Sequence, residues 1–412
     1  MTAKNSSATR RQVLLAAVAA GAAASGVQAQ QPPLKIGAIN PYSGPLATYG
    51  EECARGYQMA ADVANARGGV LGRRVEVVKR DATNPQQAIA GVDQMATREN
   101  IEVFIGTYSS VLAAAGSDAA LRHNKVWWDT QALAAELTDR KLPNFIRSGP
   151  YAVSFGQTGV RGVVELVAPA LKKTPQEVTV WLEHEESIYG KSVIDAQKAA
   201  FEKAGVKILG ISAHNARAAD VTDSILRAKR ARPDVWMQTG YVPDTNLLLK
   251  TAKEQAFRPP VILLTGTGDT IETADAAGDF AEGVLVVAYA WPDVSERYSP
   301  GMANFLAAYR KAYNRDPIAP QTMTAYGGML MMLEVIQAAG STDPARMRAA
   351  AQALDKPYNT YPGGYGAKFD DKMQNTRAYP TIIQWQSRKQ VTVFPPEARA
   401  AGVNIVNIPS KV

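Results

Sequence analysis

Two consecutive serines, Ser109 and Ser110, stand where a short apolar run, VFIGT, gives way to the alanine-rich stretch VLAAAGSDAAL. A strand that feeds a helix in this way leaves the first N–H groups of the helix without intrahelical partners, next to two hydroxyls. Free N–H groups, the helix dipole and hydroxyls together favour a carboxylate or another small polar acceptor. Ser110 can equally be an N-cap, and the residues alone leave both roles open. Small polar and aromatic residues recur at the ends of other apolar runs: Tyr42 and Ser43, Tyr189, Tyr241, and the loop TGTGD with Thr267 and Asp269. In open α/β sheets those strand ends face the ligand crevice.

Covalent and phosphate chemistry finds no comparable constellation. Gly190-Lys191-Ser192 resembles the end of a phosphate loop, but Glu185 stands where the first glycine is required. Gly266-x-Gly268 falls late in the chain, with Ile271 at the third glycine position. Neither a G-x-S-x-G elbow nor an H-E-x-x-H pair occurs. The three histidines, His123, His184 and His214, lie in unrelated segments without metal-ligand spacing. Glu183, Glu185 and Glu186 flank His184, a pattern read as a solvated loop rather than an acid/base pair. The sole cysteine, Cys53, excludes a disulfide within the chain and reads as a buried small hydrophobe. No enzyme activity, cofactor or metal is expected.

The elements that must position the polar strand ends alternate almost without break. Strands are expected at 34–40, 75–82, 103–107, 125–130, 178–184, 206–212, 234–240, 260–266 and 283–290. Helical patterns lie between them at 50–66, 85–98, 110–122, 154–171, 187–204 and 243–255, and helices follow at 302–313, 321–339 and 344–354. Each strand pattern is short, rich in β-branched residues and bounded by Gly, Asn, Asp or Pro, the mark of buried parallel strands. A chain of 412 residues with this many strands fits two doubly wound lobes better than one sheet. The stretch Arg147-Ser148-Gly149-Pro150 is a candidate boundary, and a late strand pattern at 381–386 returns the chain to a sheet.

The N-terminus carries a targeting pattern. Residues 1–29 have a basic start, an Ala/Val/Leu run and a small-x-small end, Val27-Gln28-Ala29. Arg10-Arg11 before Gln12-Val13-Leu14-Leu15 matches a twin-arginine signal, although paired arginines also occur in general export signals. Cleavage after Ala29 removes three positive charges and takes the formal net charge from +7 to +4. Such a mild excess, without basic clusters interleaved with aromatics, excludes nucleic acid as an expected partner. A soluble, exported protein in the periplasm is the expectation.

The blocks LKIGAINPYSGPLATYG, GYQMAADVANARGGVLGRRVEVVKRDATNPQQA, VFIGTYSS with WWDTQALAAELT, ESIYGKS, AEGVLVV and TAYGGMLMM occur in that order along the mature chain. In this they resemble the periplasmic leucine/isoleucine/valine-binding proteins, the type I solute-binding proteins of ABC importers. The resemblance implies an α/β fold of two Rossmann-like lobes with parallel sheets, joined by a three-strand hinge. The crossings fall near 149, 288 and 361, giving one lobe of 34–149 plus 289–360 and another of 150–288 plus 361–412. It implies capture of a small organic ligand by hinge closure and delivery to an inner-membrane ABC permease, with a monomer as the simplest state. Residue by residue it points to Tyr49, to Ser110 (with Ser109 beside it) as the carboxylate-binding serine, and to Tyr189 and Tyr241 on the opposite lobe.

Two departures from the family pattern stand out. An alanine and a threonine of the amino-acid binders are replaced by Gln131 and Leu133, and the glutamate that pairs the ligand ammonium is missing from the turn Leu264–Asp269, where Thr267 and Asp269 stand. An unpaired buried ammonium is costly. The departures therefore turn the expectation from leucine, isoleucine and valine toward an acid or amide without an α-amino group, unless Asp269 substitutes. Trp127, Trp128 and Gln131, near the cleft mouth, would tolerate an aromatic or longer ligand; the two tryptophans can equally pack in the core against helices, and strand alternation lets only one of them face each side. A periplasmic ligand sensor of the same fold is the nearest rival function, and a hydrolase or dehydrogenase on this scaffold the more distant one.

Overall fold

The computed structural model describes Met1 and residues 31–410. The export signal read at 1–29 therefore falls, after Met1, outside the described residues. Five parallel strands form the first sheet: β1 (Leu34–Asn40), β2 (Val75–Asp81), β3 (Val103–Gly106), β4 (Val126–Asp129) and β5 (Phe145–Arg147), in the order β2-β1-β3-β4-β5. Helices cover both faces, as buried parallel strands require. One face packs on Ala47–Ala66, Gln321–Ala339 and Pro344–Ala353, and the other on Pro85–Arg98 and Ser110–Arg122.

The second sheet has seven strands. Its parallel part is β6 (Thr179–Glu185), β7 (Lys207–His214), β8 (Val235–Thr239), β9 (Val261–Thr265) and β10 (Leu285–Ala288). The antiparallel pair β13 (Thr381–Gln386) and β14 (Lys389–Phe394) extends it beyond β10, giving the order β14-β13-β10-β9-β8-β6-β7. A separate hairpin, β11 (Asp355–Tyr361) with β12 (Tyr365–Lys368), lies against the first lobe.

The strand orders explain where a site can form. In the first sheet the order reverses between β1 and β3, so the helices after those strands diverge to opposite faces and leave a crevice at their carboxyl ends. Tyr49 belongs to the helix after β1, and Ser109 and Ser110 begin the helix after β3. In the second sheet the reversal lies between β6 and β8, and Tyr189 and Tyr241 stand at the starts of the helices that follow those two strands. Both lobes thus present their switch points to each other.

Two details differ from the sequence reading. Apolar residues from Tyr361 to Ala378, including Tyr365, Phe369 and Met373, pack in the core of the first lobe. The chain joins the second sheet only at Thr381, so the third crossing falls at 379–380 and not near 361. The strand β5 was also not expected, because three residues ending in a buried arginine carry no periodicity.

The first lobe depends on a close helix crossing. A Cβ on Gly56 would stand 2.3 Å from the carbonyl oxygen of Thr322, so the helices Ala47–Ala66 and Gln321–Ala339 meet backbone to backbone. Buried Glu52 secures the same contact by accepting from Arg315 at 2.7 Å, from Tyr309 at 2.9 Å, and from Arg55 and Thr322. Gly56→Ala should lower the stability of the protein by about 1–3 kcal/mol through overpacking. Denaturant titration with an unchanged m-value would show it, and an unchanged midpoint would mean that the helices separate freely.

Candidate functional site

The inter-lobe cleft is lined by tyrosines. Tyr49 stacks on Tyr108 with ring centroids 4.4 Å apart, and Tyr241 meets Tyr108 edge-on at 6.2 Å and Tyr189 at 5.3 Å. Such pairs contribute about 0.5–1.5 kcal/mol each beyond the area they bury. Tyr108, Gln131, Leu133, Tyr189, Tyr241, Gly266 and Tyr289 enclose a small cavity of about 10 Å³, room for about one water. Outside it a wider hollow of about 300 Å³ opens between Leu46, Ser109 and Leu112 of the first lobe and Ser187, Arg217 and Tyr241 of the second.

Hydrogen bonds tie the lobes together across this cleft. The Tyr49 hydroxyl donates to Asp269 Oδ1 at 2.6 Å, the Tyr108 hydroxyl to the Gly266 carbonyl at 2.9 Å, and Thr48 to Glu272 at 2.9 Å. The Tyr189 hydroxyl donates to the Thr265 carbonyl at 2.8 Å, which holds its ring against the TGTGD loop. That loop needs its glycines. Gly266 has φ +68°, and a Cβ there would stand 2.3 Å from the Tyr189 hydroxyl.

Asp269 is buried and only half satisfied. Its Oδ2 has no partner, nor do the hydroxyl of Thr267 and both side-chain polar atoms of Gln321, all buried. Burial pushes the Asp269 carboxyl up to about 6, with the Tyr49 hydrogen bond pulling it back. It is therefore an ionised acceptor near neutral pH. Unpaired buried polar groups are costly in folded proteins, and the meeting of acceptors (Asp269 Oδ2, Gln321 Oε1) with groups that can donate (Thr267 Oγ1, Gln321 Nε2) marks a place where a polar ligand group would be welcome.

Gln131 and Leu133 are held by a buried scaffold. Asp129 Oδ1 accepts from the N–H groups of Gln131 at 3.1 Å and Ala132 at 2.9 Å. Arg147 donates to the carbonyls of Ala132 and Ala134, both at 2.7 Å, to Gln374 at 2.6 Å and to Thr138 at 3.1 Å. Burial raises the Asp129 carboxyl to about 7 although the Arg147 charge lowers it, and burial lowers Arg147 to about 10 against the pull of Asp129. Gln131 itself accepts from the Cys53 thiol at 3.1 Å and donates to the Gln321 carbonyl at 2.9 Å.

Of the residues named from sequence, Gln131, Leu133, Tyr189 and Tyr241 border the small cavity, Ser109 borders the outer hollow, and Tyr49 and Asp269 are bonded across the cleft. Ser110 is turned to its own lobe, where its Oγ accepts from the Ala134 N–H at 3.1 Å. Trp127 and Trp128 do not reach the cleft. They are fully buried on opposite faces of the interior strand β4, Trp127 against Phe104 and Trp128 against Phe369, because helices cover both faces there. Tyr108, Tyr289 and Gln321 were absent from the set named from sequence. Gln321, a polar start to the otherwise apolar run MTAYGGMLMM, was the readable clue.

With fold and cleft in view, comparison with known proteins decides the family. A family described as "Periplasmic binding protein" matches residues 33–390. The chain is 34% identical over 397 residues to "Leu/Ile/Val-binding protein homolog 7" of Brucella suis biovar 1 (strain 1330), covering 96% of this chain and 98% of that protein. It belongs to the Leu/Ile/Val-binding family of type I periplasmic binding proteins. Among solved structures, the leucine binding protein LivK of Thermotoga maritima MSB8 is similar with TM-score 0.75 at 20% identity, covering 87% of this chain and 97% of that one. A solute binding protein of an ABC transporter from Rhodopseudomonas palustris HaA2, in complex with p-hydroxybenzoic acid, is similar with TM-score 0.74 at 21% identity, covering 88% and 95%. This family consists of solute-binding proteins. Among the described residues no helix is long and apolar enough to cross a membrane.

Proposed function

We propose that this protein is the periplasmic substrate-binding component of an ABC importer, closing its two lobes on a small organic ligand and presenting the closed form to an inner-membrane permease. It performs no covalent chemistry in this reading. The ligand has a carboxylate or amide carbonyl at one end and an N–H or O–H donor at the other. Amino acids, amides and hydroxylated aromatic acids share that pattern. The carrying observation is the half-satisfied Asp269 in a tyrosine-lined inter-lobe cleft. In this reading Tyr49, Tyr189 and Tyr241 grip the ligand body, and Ser109 with the helix N-terminus at Ser110 receives its acid end. Gln131 and Leu133 shape the floor, and Asp269 with Thr267 takes the donor. The family resemblance supports the transport role, and the solute binding protein in complex with p-hydroxybenzoic acid supports a hydroxylated aromatic acid among the ligand classes to test. A ligand sensor of the same fold would use the same cleft.

A thermal-shift panel on refolded protein tests this reading. It compares leucine, isoleucine, valine and phenylalanine with their des-amino acids, and 4-hydroxybenzoate with benzoate and aromatic amides. A ligand at 100 times its Kd stabilises by about 2.7 kcal/mol, a visible shift. Donor-bearing compounds should shift the melt more than their donor-less counterparts. Equal shifts for benzoate and 4-hydroxybenzoate, and for amino and des-amino acids, would remove Asp269 from the ligand-reading role.

A further inference from the structure

Next to Tyr241, three ionisable side chains meet in the interior of the second lobe. His214, the last residue of β7, places Nδ1 2.8 Å from Glu183 Oε1 on β6 and Nε2 2.8 Å from Asp244 Oδ2. All three side chains are almost completely buried. A neutral imidazole has one donor and one acceptor nitrogen, so it can satisfy only one of two carboxylates. With both carboxylates ionised, the two short contacts require both ring nitrogens to carry protons, which makes His214 an imidazolium. Burial pulls its pKa down, but the hydrogen bonds to Asp244 and Glu183 and their charges outweigh this and raise it to about 9.

The cluster is closed off from other charges. Ser224, from the helix Thr222–Ala231, donates to Glu183 Oε2 at 2.6 Å, while Asp223 and Arg227 of that helix and Asp220 and Arg217 before it are exposed. Glu185, the register partner of His214, is turned to Ser187 and Gly190, and the Nδ1 of His184 faces the Glu185 carbonyl. Glu183, His214 and Asp244 therefore share the pocket, with burial raising the Asp244 carboxyl and the His214 hydrogen bond pulling it back.

Asp244 connects this cluster to the cleft. Its second oxygen, Oδ1, accepts from the backbone N–H of Tyr241 at 2.9 Å, so one carboxylate both caps the helix that begins at Val242 and holds the histidine. The turn leaves no slack, since a Cβ on Gly240 would stand 2.2 Å from Asp244 Oδ2. We propose that His214 is a positioning residue for the cleft: as an imidazolium shared by Glu183 and Asp244, it locks the Gly240–Tyr241 turn and thereby sets the Tyr241 ring against Tyr108 and Tyr189. A histidine whose folded pKa lies above the ordinary value near 6.5 contributes its stabilisation below that pH and loses it as pH rises through about 9. The turn should therefore loosen in mild alkali, while Tyr241, whose own hydroxyl is pushed well above 10 by burial, does not titrate there.

The test needs no ligand, and it rests on the proposed function only in taking Tyr241 as a cleft residue. Protein labelled with ¹⁵N in its three histidines and in its tyrosines is titrated from pH 7 to 10.5 by NMR. His123→Gln and His184→Gln identify the His214 ring signals, and Tyr241→Phe identifies the Tyr241 amide. At pH 7.5 both His214 ring nitrogens should carry protons, the ring should titrate with a midpoint near 9, and the Tyr241 N–H signal should move with the same midpoint. Amides of tyrosines buried in the first lobe, such as Tyr57, should stay fixed. In His214→Gln the Tyr241 amide should lose this pH response; if that variant does not fold, the wild-type titration decides alone. A neutral His214 at pH 7.5, or a Tyr241 amide that stays fixed while His214 titrates, overturns the proposal and leaves the transport reading standing. Failure of the ligand panel would leave the His214 result untouched.

Discussion

Asp269→Asn should make the ligand-free protein more stable and the liganded protein weaker. The buried carboxyl is held near 6, above its ordinary 3.8, because burial outweighs the Tyr49 hydrogen bond. The folded state therefore keeps this proton to higher pH than the unfolded chain does. Stability falls as pH rises from about 4 to about 6, and above that window the fold carries a half-satisfied charge. Replacing the carboxylate by an amide removes that slope and should add up to about 3 kcal/mol at pH 8, since one pKa unit corresponds to about 1.4 kcal/mol. Binding should move the other way. Losing a charged acceptor costs a ligand donor about 1.5–3 kcal/mol, or roughly 10- to 150-fold in Kd. Urea titrations at pH 5 and pH 8 and isotherms for donor-bearing and donor-less compounds separate the two effects. An Asp269→Asn protein that is less stable at pH 8, or that binds donor-bearing compounds as tightly as before, would show that Asp269 is structural.

Arg147→Met should destabilise the protein more than Gly56→Ala does, by about 3–5 kcal/mol. Arg147 is fully buried and donates to four acceptors, two of them the carbonyls of Ala132 and Ala134. A methionine of similar length fills the space but strands those carbonyls and removes the positive charge that faces Asp129. The Gln131–Leu133 segment would lose its support from one side, so the damage should extend to the cleft. Arg147→Lys keeps the charge but cannot reproduce the planar fork, and its stability should lie between those of the wild type and Arg147→Met. Urea titration of the three proteins gives the order. A loss below about 1 kcal/mol for Arg147→Met, far under the cost of breaking a buried charge network, would mean that water or a shift of the hinge replaces the arginine.

The alternation of strand and helix was legible because each buried strand is a short β-branched run with polar punctuation, and the helix Ser110–Arg122 was read to the residue. What sequence could not show was direction. Ser110 was readable as a hydroxyl at a helix start, but its use by Ala134 N–H depends on a loop 24 residues away. Trp127 and Trp128 lay beside site residues in the chain, yet β4 has neighbours on both sides and helices on both faces, which buries both rings. Arg147 looked like part of a linker, because no local pattern reveals four acceptors from 132–138 and from Gln374. His214 stands about 30 residues from both Glu183 and Asp244, and only the β8-β6-β7 order brings the three together. Residues set by the switch points, such as Tyr189 and Tyr241, were accessible to sequence reasoning; those set by long-range hydrogen bonds were not.

The central claim is that one ligand is held by both lobes at once. Hydrogen exchange read by mass spectrometry, with and without the compound that gives the largest melt shift, tests it most directly. Protection should appear together in the loops at 105–111 and 129–135 of the first lobe and at 239–244 and 264–270 of the second. Protection confined to one lobe, or to the surface hollow around Arg258 and Arg388, would contradict a ligand held between the lobes.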